Sequence, residues 1–246
     1  MKKLLLILML ITASLVSFTS CKEEVNDTDI SPYYPVTFND DYFYYETIPN
    51  TKNCIVKSIK KLNNGSIIIP SNVEYYGETY KVTKIGEYIA SGQSDSISGN
   101  LIIPNTIIEI GKLAFSGCQK LRGSIVIPGS VKVIGDYAFN LCTSAKKIEL
   151  NYGLEKIGDK AFYLSCTNYQ NAFILTIPSS VLEIGNEAFN GVKINNVVSL
   201  NPIPPKITSN IFGDSFGHIY VPSNAVEVYK HDIGGWIRYS SRIYSL

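Results

Sequence analysis

A six-residue segment, Ile-Gly-x-x-Ala-Phe, recurs along this chain and limits what it can fold into. Intact copies begin at Ile110, Ile134, Ile157 and Ile184, and degenerate copies begin at Ile85 and Ile207. The glycines of the first five copies are separated by 25 (111−86), 24 (135−111), 23 (158−135) and 27 (185−158) residues. Such a period is typical of solenoids, whose coils each bury an apolar face only against their neighbours. The sequence therefore predicts stacked coils, an architecture more often used for binding than for catalysis.

Each coil is predicted to contain two short strands and a turn. Upstream of most Ile-Gly pairs lies an apolar strand closed by Pro, as in Ile125-Val126-Ile127-Pro128. β-Branched residues at alternating positions favour strands, and Pro, which cannot donate to a ladder, marks the strand end. A second apolar pair follows, such as Val131 with Ile134, and then a Gly where a Cβ would obstruct the turn. About six coils of this kind are expected over residues 67–222.

The residue after each Gly is interpreted as the start of a helical turn. Asp136, Asp159 and Asn186 occupy this position, and Asp and Asn are favoured at the beginning of helices. The Ala and Phe that follow then fall within one turn, where both can point inward. The predicted fold class is an α/β repeat made mostly of short β-strands with helical turns.

Three cysteines follow the same spacing. Cys118 and Cys142 lie three residues after the Phe of their repeat, and Cys166 lies four residues after its Phe. We expect a column of buried thiols that behave as small apolar groups. The alternatives are a metal site, for which the paired short spacings are absent, and a disulfide between neighbouring coils. The redox state of the three thiols stays open at this point.

An open solenoid needs caps that hide its apolar ends. Residues 36–66 alternate aromatic and polar side chains, which predicts an N-terminal cap built as a β-hairpin. Tyr33, Tyr34 and the run Tyr42-Phe43-Tyr44-Tyr45 offer an alternative use as a stacking platform for sugars. Residues 223–246, which include the only Trp at position 236, are predicted to cap the other end.

The N-terminus has the features of an export signal. Residues 1–20 combine Lys2 and Lys3 with an apolar stretch too short to span a bilayer, and Cys21 follows directly. The segment Phe18-Thr19-Ser20-Cys21 resembles a bacterial lipobox, in which the Cys becomes lipidated, although Phe18 departs from the usual Leu. An ordinary secreted protein with a chance Cys is the alternative. Residues 21–35 are polar and suit a tether between membrane and domain.

Charge and motif content argue against several functions. Removing Lys2 and Lys3 from the formal net charge of +1 leaves −1 (1−2), so generic nucleic-acid binding is not expected. The G-x-S-x-G pattern at Gly213–Gly217 lacks the strand-to-helix context of a nucleophile elbow, and His218 follows as part of a predicted strand. With 2 His in all, no catalytic or metal motif is recognised, and we predict no enzyme, metal or cofactor.

Strand alternation predicts an exposed row. If the outer residues of each Ile-x-Ile strand point inward, the central ones share one surface. They are Ile68, Ile102, Val126, Glu149, Thr176, Ser199 and Tyr220. Apolar residues aligned on an exposed sheet can mark a partner surface, and Ile102 with Val126 is the candidate contact. The alternatives are that β-branched residues simply suit strands, or that the N-terminal segment covers them.

The chain resembles the BspA-like leucine-rich repeats. Their units run approximately Leu-x-x-Ile-x-Ile-Pro-x-x-Val-x-x-Ile-Gly-x-x-Ala-Phe-x-x-Cys, and residues 121–142 follow this pattern with one extra residue after Leu121. The resemblance implies a right-handed leucine-rich-repeat solenoid. It also implies a surface protein that adheres to host or bacterial macromolecules, and it supplies no binding residues.

The N-terminal segment extends this expectation. Lys22-Glu23-Glu24 is similar to the acidic tag that Bacteroidetes place after the lipidated Cys of outward-facing lipoproteins. We therefore expect an outer-membrane lipoprotein, anchored at Cys21, that binds a protein or glycan ligand at the cell surface. The alternative function is a glycan-capturing accessory protein of a polysaccharide uptake system.

Overall fold

A computed structural model describes residues 34–168, 170–213 and 216–246. The expectations for the export signal, for Cys21 and for nearly all of the tether concern residues outside these ranges, as does Ser215 of the G-x-S-x-G pattern. Within the described ranges, no helix has the length and apolarity needed to cross a bilayer.

The described residues form short strands joined by turns. The strands are β1 (Thr37–Asn39), β2 (Phe43–Thr47), β3 (Asn53–Ile59), β4 (Ile67–Ile68), β5 (Asn72–Tyr75), β6 (Glu78–Ile85), β7 (Leu101–Ile102), β8 (Glu109–Ile110), β9 (Ile125–Ile127), β10 (Val133–Ile134), β11 (Ile148–Leu150), β12 (Lys156–Ile157), β13 (Phe173–Ile177), β14 (Glu183–Ile184), β15 (Ile194–Ser199), β16 (Lys206–Ile207), β17 (Ile219–Val221) and β18 (Ile243–Ser245). The helical elements are α1 (Val226–Lys230) and 3-10 helices at Ser94–Ser96, Ser223–Ala225 and Trp236–Arg242.

The second strand of each coil contributes to one long sheet. Its order is β1-β2-β3-β6-β8-β10-β12-β14-β16, and β5 pairs with β6. From β3 onward the neighbours are parallel, and each Ile is paired with the Ile one coil away, as Ile134 is with Ile110 and Ile157. The sequence prediction of stacked coils in a leucine-rich-repeat solenoid is confirmed.

The first strand of each coil forms smaller parallel sheets. These pair β4 with β7, pair β9 with β11, and join β13, β15, β17 and β18 in that order. In each of these sheets equivalent residues of successive coils lie side by side, so a residue type at a given position becomes part of a row along the stack.

A row of phenylalanine rings runs through the interior. The centroids of Phe115, Phe139, Phe162 and Phe189 follow one another at 5.3, 5.2 and 5.3 Å, and Phe212 continues the row at 5.9 Å. All five rings are buried. These stacked aromatic contacts lie within the range in which ring pairs attract each other beyond simple area burial. The repeated Phe is therefore the common interior element of successive coils.

The Gly of each Ile-Gly pair lies where the backbones of adjacent coils approach each other closely. A Cβ on Gly158 would lie 2.6 Å from the backbone nitrogen of Asp136, and one on Gly185 would lie 2.5 Å from that of Asp159. The prediction that a Cβ would obstruct the turn is confirmed, and the obstructing atoms belong to the preceding coil.

The turn after each Gly is not helical, and the prediction that Asp136, Asp159 and Asn186 start helices is wrong. The next residues, Tyr137, Lys160 and Glu187, have left-handed φ values of 56°, 51° and 51°. The side chains instead bridge coils: Asp136 Oδ1 accepts the backbone N–H of Asp159 at 2.9 Å, and Asp159 Oδ1 accepts that of Asn186 at 2.7 Å. A carboxylate that accepts a neighbouring coil's N–H favours coil stacking over local helix formation.

The thiols of Cys118, Cys142 and Cys166 are free and buried, as the sequence predicts for a column of small apolar groups. Burial raises the pKa of Cys166 to about 12 and raises the pKa of Cys142 well above its ordinary value. One detail differs from the sequence prediction. Cys142 Sγ donates to the carbonyl of Phe115 at 3.3 Å, and the group that contacts Phe139 in the same way one coil later is the hydroxyl of buried Ser165. Ser165, and not Cys166, therefore continues the row.

The two ends are closed differently. At the N-terminal end the antiparallel strands β1, β2 and β3 extend the long sheet, and Phe38 stacks against Tyr45 and Tyr75 with centroids 5.2 and 4.5 Å apart. At the C-terminal end Trp236 is fully buried, and its Nε1 donates to the carbonyl of Pro205 at 2.6 Å. The single Trp is thus a packing residue of the C-terminal cap.

Candidate binding surface

The central residues of the first strands are exposed or half-exposed at equivalent positions of successive coils, and we call them the outer row. Ile68 pairs with Ile102, Val126 pairs with Glu149, and Thr176, Val198, Tyr220 and Tyr244 pair in succession. Most of their strand neighbours point inward and are buried, as Ile125 and Ile127 are around Val126, whereas Ser245 next to Tyr244 is exposed. The alternation of side chains along a strand produces this division.

The prediction that Ser199 belongs to the exposed row is wrong. Ser199 is fully buried, because β15 presents Val197-Val198-Ser199 rather than Val198-Ser199-Leu200 to the stack. Ser199 therefore takes the inward position next to Ile177, and its hydroxyl lies 2.8 Å from that of Tyr229. Since side chains alternate with a period of two, a slip of one residue exchanges inside for outside. Val198 belongs to the outer row in place of Ser199.

The N-terminal half of the outer row is aliphatic. Ile68, Ile102 and Val126 are 43%, 51% and 41% exposed, and they occupy the same position in consecutive coils. Aliphatic side chains of this size are usually removed from water, so three of them in line on an exposed face indicate a surface that another molecule can cover.

A shallow cavity continues this half of the row. It has a volume of about 130 Å³ and is lined by Tyr42, Phe43, Lys61, Asn63, Ser66 and Ile68. It lies between the N-terminal cap and β4. Because pockets for drug-sized ligands are typically about 300 Å³ or larger, this cavity suits a single side chain better than a whole small molecule.

The C-terminal half of the row has a different character. Glu149 and Thr176 are polar, and Tyr220 and Tyr244 end the row with His218 beside them. The rings of His218 and Tyr244 are edge to face with centroids 4.8 Å apart, and Tyr220 lies 6.3 Å from His218 and 6.4 Å from Tyr244. Tyr244 is 46% exposed, so this end of the surface is aromatic and polar rather than aliphatic.

The second strands expose a charged surface. Lys84 pairs with Glu109 at 2.8 Å, Lys132 with Glu155 at 3.0 Å, and Lys156 with Glu183 at 3.3 Å. Each pair joins adjacent coils and is well exposed, so each contributes little to stability. Glu109, Glu155 and Glu183 therefore lie on a solvated and mainly charged face.

The candidate sugar platform at the N-terminus is divided by strand alternation. Tyr42 and Tyr44 are 39% and 44% exposed, whereas Phe43 and Tyr45 are buried in the cap. Burial raises the pKa of Tyr45, and the hydrogen bond from the Tyr45 hydroxyl to Asp40 raises this pKa further. The run therefore serves capping with one side and faces solvent with the other, and Tyr33 lies outside the described residues.

The sequence interpretation missed two surface residues, Val198 and Tyr244. Val198 was hidden by the one-residue slip in β15, and Tyr244 belongs to β18, which pairs in parallel with β17 as a further coil would. An Ile-x-Ser pattern at Ile243–Ser245 is the only sequence signal for that strand. His231, the other His, is exposed and its Nδ1 lies 2.9 Å from the carbonyl oxygen of Glu227.

Comparison with protein families identifies the repeat. The family model described as "BspA type Leucine rich repeat region" matches 6 copies over residues 83–218, which is more than half of the chain. A search of curated proteins finds no match.

Solved structures agree with the fold. A leucine-rich repeat protein from Bacteroides ovatus is 26% identical with a TM-score of 0.55, over 75% of this chain and 55% of that one. A leucine rich cell surface protein from Faecalibacterium prausnitzii is 22% identical with a TM-score of 0.52, over 76% of this chain and 55% of that one. A leucine-rich repeat protein from T. pallidum is 22% identical with a TM-score of 0.57, over 80% of this chain and 97% of that one. The chain thus spans 55% of the length of the first two proteins.

Proposed function

Because this chain belongs to the BspA-type leucine-rich repeat family, we propose that it is a non-catalytic binding module that attaches to a macromolecule at the cell surface. The observation that supports the proposal most strongly is the aliphatic half of the outer row. Ile68, Ile102 and Val126 are exposed in line on consecutive coils, while the interior of the same strands is completely apolar and buried. Solenoids commonly bind partners through such extended surfaces.

A mixed aliphatic surface favours a protein partner. Covering apolar side chains removes them from water and contributes about 25 cal/mol for each Å² buried, and a protein surface can follow a row of several coils. The proposed function is therefore adhesion to host or bacterial proteins through the N-terminal half of the outer row.

The proposed location is the outer membrane, with the domain facing outward. Its support comes from the sequence alone: the export signal in residues 1–20, the lipobox-like segment that ends at Cys21, and the acidic Lys22-Glu23-Glu24 that follows. Radiolabelled fatty-acid incorporation into the full chain, compared with a Cys21→Ala variant, tests the anchor. Equal labelling of both proteins would contradict lipid attachment at Cys21.

The binding proposal is tested with paired variants of the full chain. The immobilised chain is first screened against matrix proteins, whole bacteria and a glycan array. Ile102→Lys with Val126→Lys places two charges on the aliphatic half, and Thr176→Lys with Val198→Lys places two on the other half as a matched control. We expect only the first pair to lower binding of a captured protein, by about tenfold or more. Unchanged binding by the Ile102/Val126 pair would contradict the proposal.

Glycan capture is the second candidate function, and the His218–Tyr220–Tyr244 cluster favours it. Exposed aromatic rings on one face are suited to stacking against sugars, and the hydroxyls of Ser223 and Ser245, 2.7 Å apart, lie at the same end of the sheet. Replacing Tyr220 and Tyr244 by Ala is expected to abolish any signal on the glycan array. A glycan signal that persists in this variant would place sugar binding elsewhere.

A further inference from the structure

A cluster of cations lies at the border between the aliphatic and polar halves of the outer row. The turns that lead into β9 and β11 cover residues 119–124 and 143–147, and they contain Lys120, Arg122, Lys146 and Lys147 without any Asp or Glu. We call these four residues the basic edge. Each of them is exposed.

Backbone hydrogen bonds hold the two turns side by side. The N–H of Lys146 donates to the carbonyl of Gly123 at 2.7 Å, and that of Ser144 donates to Gln119 at 3.1 Å. The N–H of Arg122 donates to Gly99 of the preceding coil at 2.8 Å. The four cations therefore lie on adjacent coils, at the border where the chain enters the strands that carry Val126 and Glu149.

Two carboxylates lie near these cations. Glu149 of the outer row lies 3.3 Å from Lys147, an exposed pair that screens part of the charge. The second is exposed Asp95, in the turn of residues 94–100 that leads into β7, so the three turns and Glu149 together carry a formal charge of +2 (4−2). The corresponding turn one coil further, residues 167–172, contains no charged residue at all. Two of the four cations lie beside Val126 and the other two beside Glu149, so the positive charge is centred on the border between the aliphatic and polar halves of the outer row.

We propose that the aliphatic half of the outer row, together with the basic edge at its border, holds an acidic amphipathic helix of a partner protein. The inference deepens the proposed function and rests on it, because it specifies the chemistry of the partner. Aliphatic side chains along one side of the helix would cover Ile68, Ile102 and Val126, and carboxylates along its flank would face the basic edge. Charge complementarity of this kind selects partners and accelerates their association.

The spacing of the row favours a helix as the bound element. The paired strands β4 and β7, which carry Ile68 and Ile102, lie about 4.8 Å apart, and an α-helix laid along the row presents a new turn every 5.4 Å or so. A row at i, i+3 or i+4, and i+7 therefore meets successive coils nearly in phase. A helix about 10 Å wide also extends sideways toward the basic edge.

The cavity next to Ile68 gives the row a defined end. Its lining combines Tyr42, Phe43 and Ile68 with exposed Lys61. An aliphatic side chain at one end of the helix fits this cavity, and a neighbouring carboxylate of the helix fits Lys61. The proposed contact therefore extends from the cavity over three coils to Val126.

The experiment measures binding of two synthetic peptides to the full chain by fluorescence anisotropy. Both peptides carry Leu at i, i+3, i+4 and i+7 spacing, one with Glu and the other with Lys at the flanking positions. We expect the Glu peptide to bind and to weaken steeply as salt increases, whereas the Lys peptide binds at least about tenfold more weakly. Failure of both peptides to bind, or equal binding of both, would overturn the proposal.

Charge reversal then locates the contact. Lys120→Glu with Arg122→Glu is expected to lower affinity for the Glu peptide by about tenfold and to raise affinity for the Lys peptide. Lys112→Glu with Lys206→Glu, which reverses two exposed cations away from this edge, is the matched control and should leave both affinities unchanged. Equal effects of the two reversals would show a general charge effect and overturn the proposed contact.

A third variant separates failure of this inference from failure of the proposed function. Ile102→Asn with Val126→Asn should weaken the Glu peptide and any captured protein together. If it weakens the captured protein while neither peptide binds, the surface function stands and the acidic helix is wrong. If a sulfated polysaccharide displaces the Glu peptide and binds this variant as well as the unaltered chain, the basic edge serves an anionic glycan and the helix proposal is overturned.

Discussion

The inward and outward side chains of the first strands follow different rules. Inward positions such as Ile125, Ile127 and Leu175 are mostly apolar and buried, and the polar exceptions are buried Ser199 and exposed Ser245. Outward positions change from aliphatic at Ile68 to aromatic at Tyr244. A repeat maintains the residues that each coil presents to the next one, and it leaves the outward residues free to vary. Under the proposed function, this difference assigns binding specificity to the outer row.

The largest expected effect lies in the interior row. Phe139→Ala removes a ring that stacks on Phe115 and Phe162 with centroids 5.3 and 5.2 Å apart. Truncation of a buried Phe costs about 3–5 kcal/mol of unfolding free energy, which urea denaturation measures. Val126→Ala on the outer row is the matched control and should change stability by less than about 0.5 kcal/mol. Comparable losses of unfolding free energy in both variants would contradict the distinction between interior and outward positions.

The Gly position should be nearly as sensitive to added volume. Gly158→Ala places a Cβ within 2.6 Å of the Asp136 backbone nitrogen, so adjacent coils must separate. We expect a loss of about 1–3 kcal/mol in unfolding free energy, as for other overpacked sites. Thr176→Ala, at an exposed position of the row, should be close to neutral in the same titration. A neutral Gly158→Ala would mean that the coils are not in tight backbone contact there.

The strand register in β15 provides a smaller and sharper test. Ser199→Ala removes a buried hydroxyl next to the Tyr229 hydroxyl, and a loss of about 1 kcal/mol is expected from the broken contact. Val198→Ala, one residue away on the exposed side, should cost less than about 0.5 kcal/mol. The opposite order of the two values would restore the register in which Ser199 faces solvent.

The smallest expected effect is a pH dependence that arises from the buried thiols. The pKa of Cys166 rises from 9.0 to about 12 on folding because its thiolate would be desolvated. Between these values the unfolded chain loses the proton while the folded chain keeps it, so stability decreases as pH rises through and above 9. Cys166→Ala removes this contribution and should reduce the loss between pH 7 and 9 by about 0.4 kcal/mol. An identical loss in the variant and the unaltered chain would show that this thiol is not buried on folding.

Most of the fold could be predicted because one period of the sequence defines several rows at once. The spacing of Ile, Gly and Phe identifies the coil, the long row of rings and the close backbone contacts. The one-residue error in the predicted register at Ser199 could not be recognised from the local sequence, since Val197-Val198-Ser199 and Val198-Ser199-Leu200 are both acceptable strands. In the interior, the hydroxyl of Ser199 forms a hydrogen bond with the hydroxyl of Tyr229, a residue of α1 that is distant in sequence.

The turn after Gly was mispredicted for a related reason. Asp136 is a good helix-starting residue when only its own segment is considered. In the stack its carboxylate accepts the N–H of Asp159, a contact between residues in different coils. The basic edge is likewise invisible to the repeat pattern, because Lys120, Arg122, Lys146 and Lys147 lie in turns whose sequence varies from coil to coil.

Amide hydrogen exchange of the full chain, with and without the protein partner captured in the surface screen, tests the central claim most directly. We expect the partner to slow exchange in β4, β7 and β9 and in the turns of the basic edge, with β17, β18 and the second-strand sheet unchanged. Protection confined to the second-strand sheet or to the C-terminal end of the outer row would contradict the assignment of the aliphatic half as the binding surface.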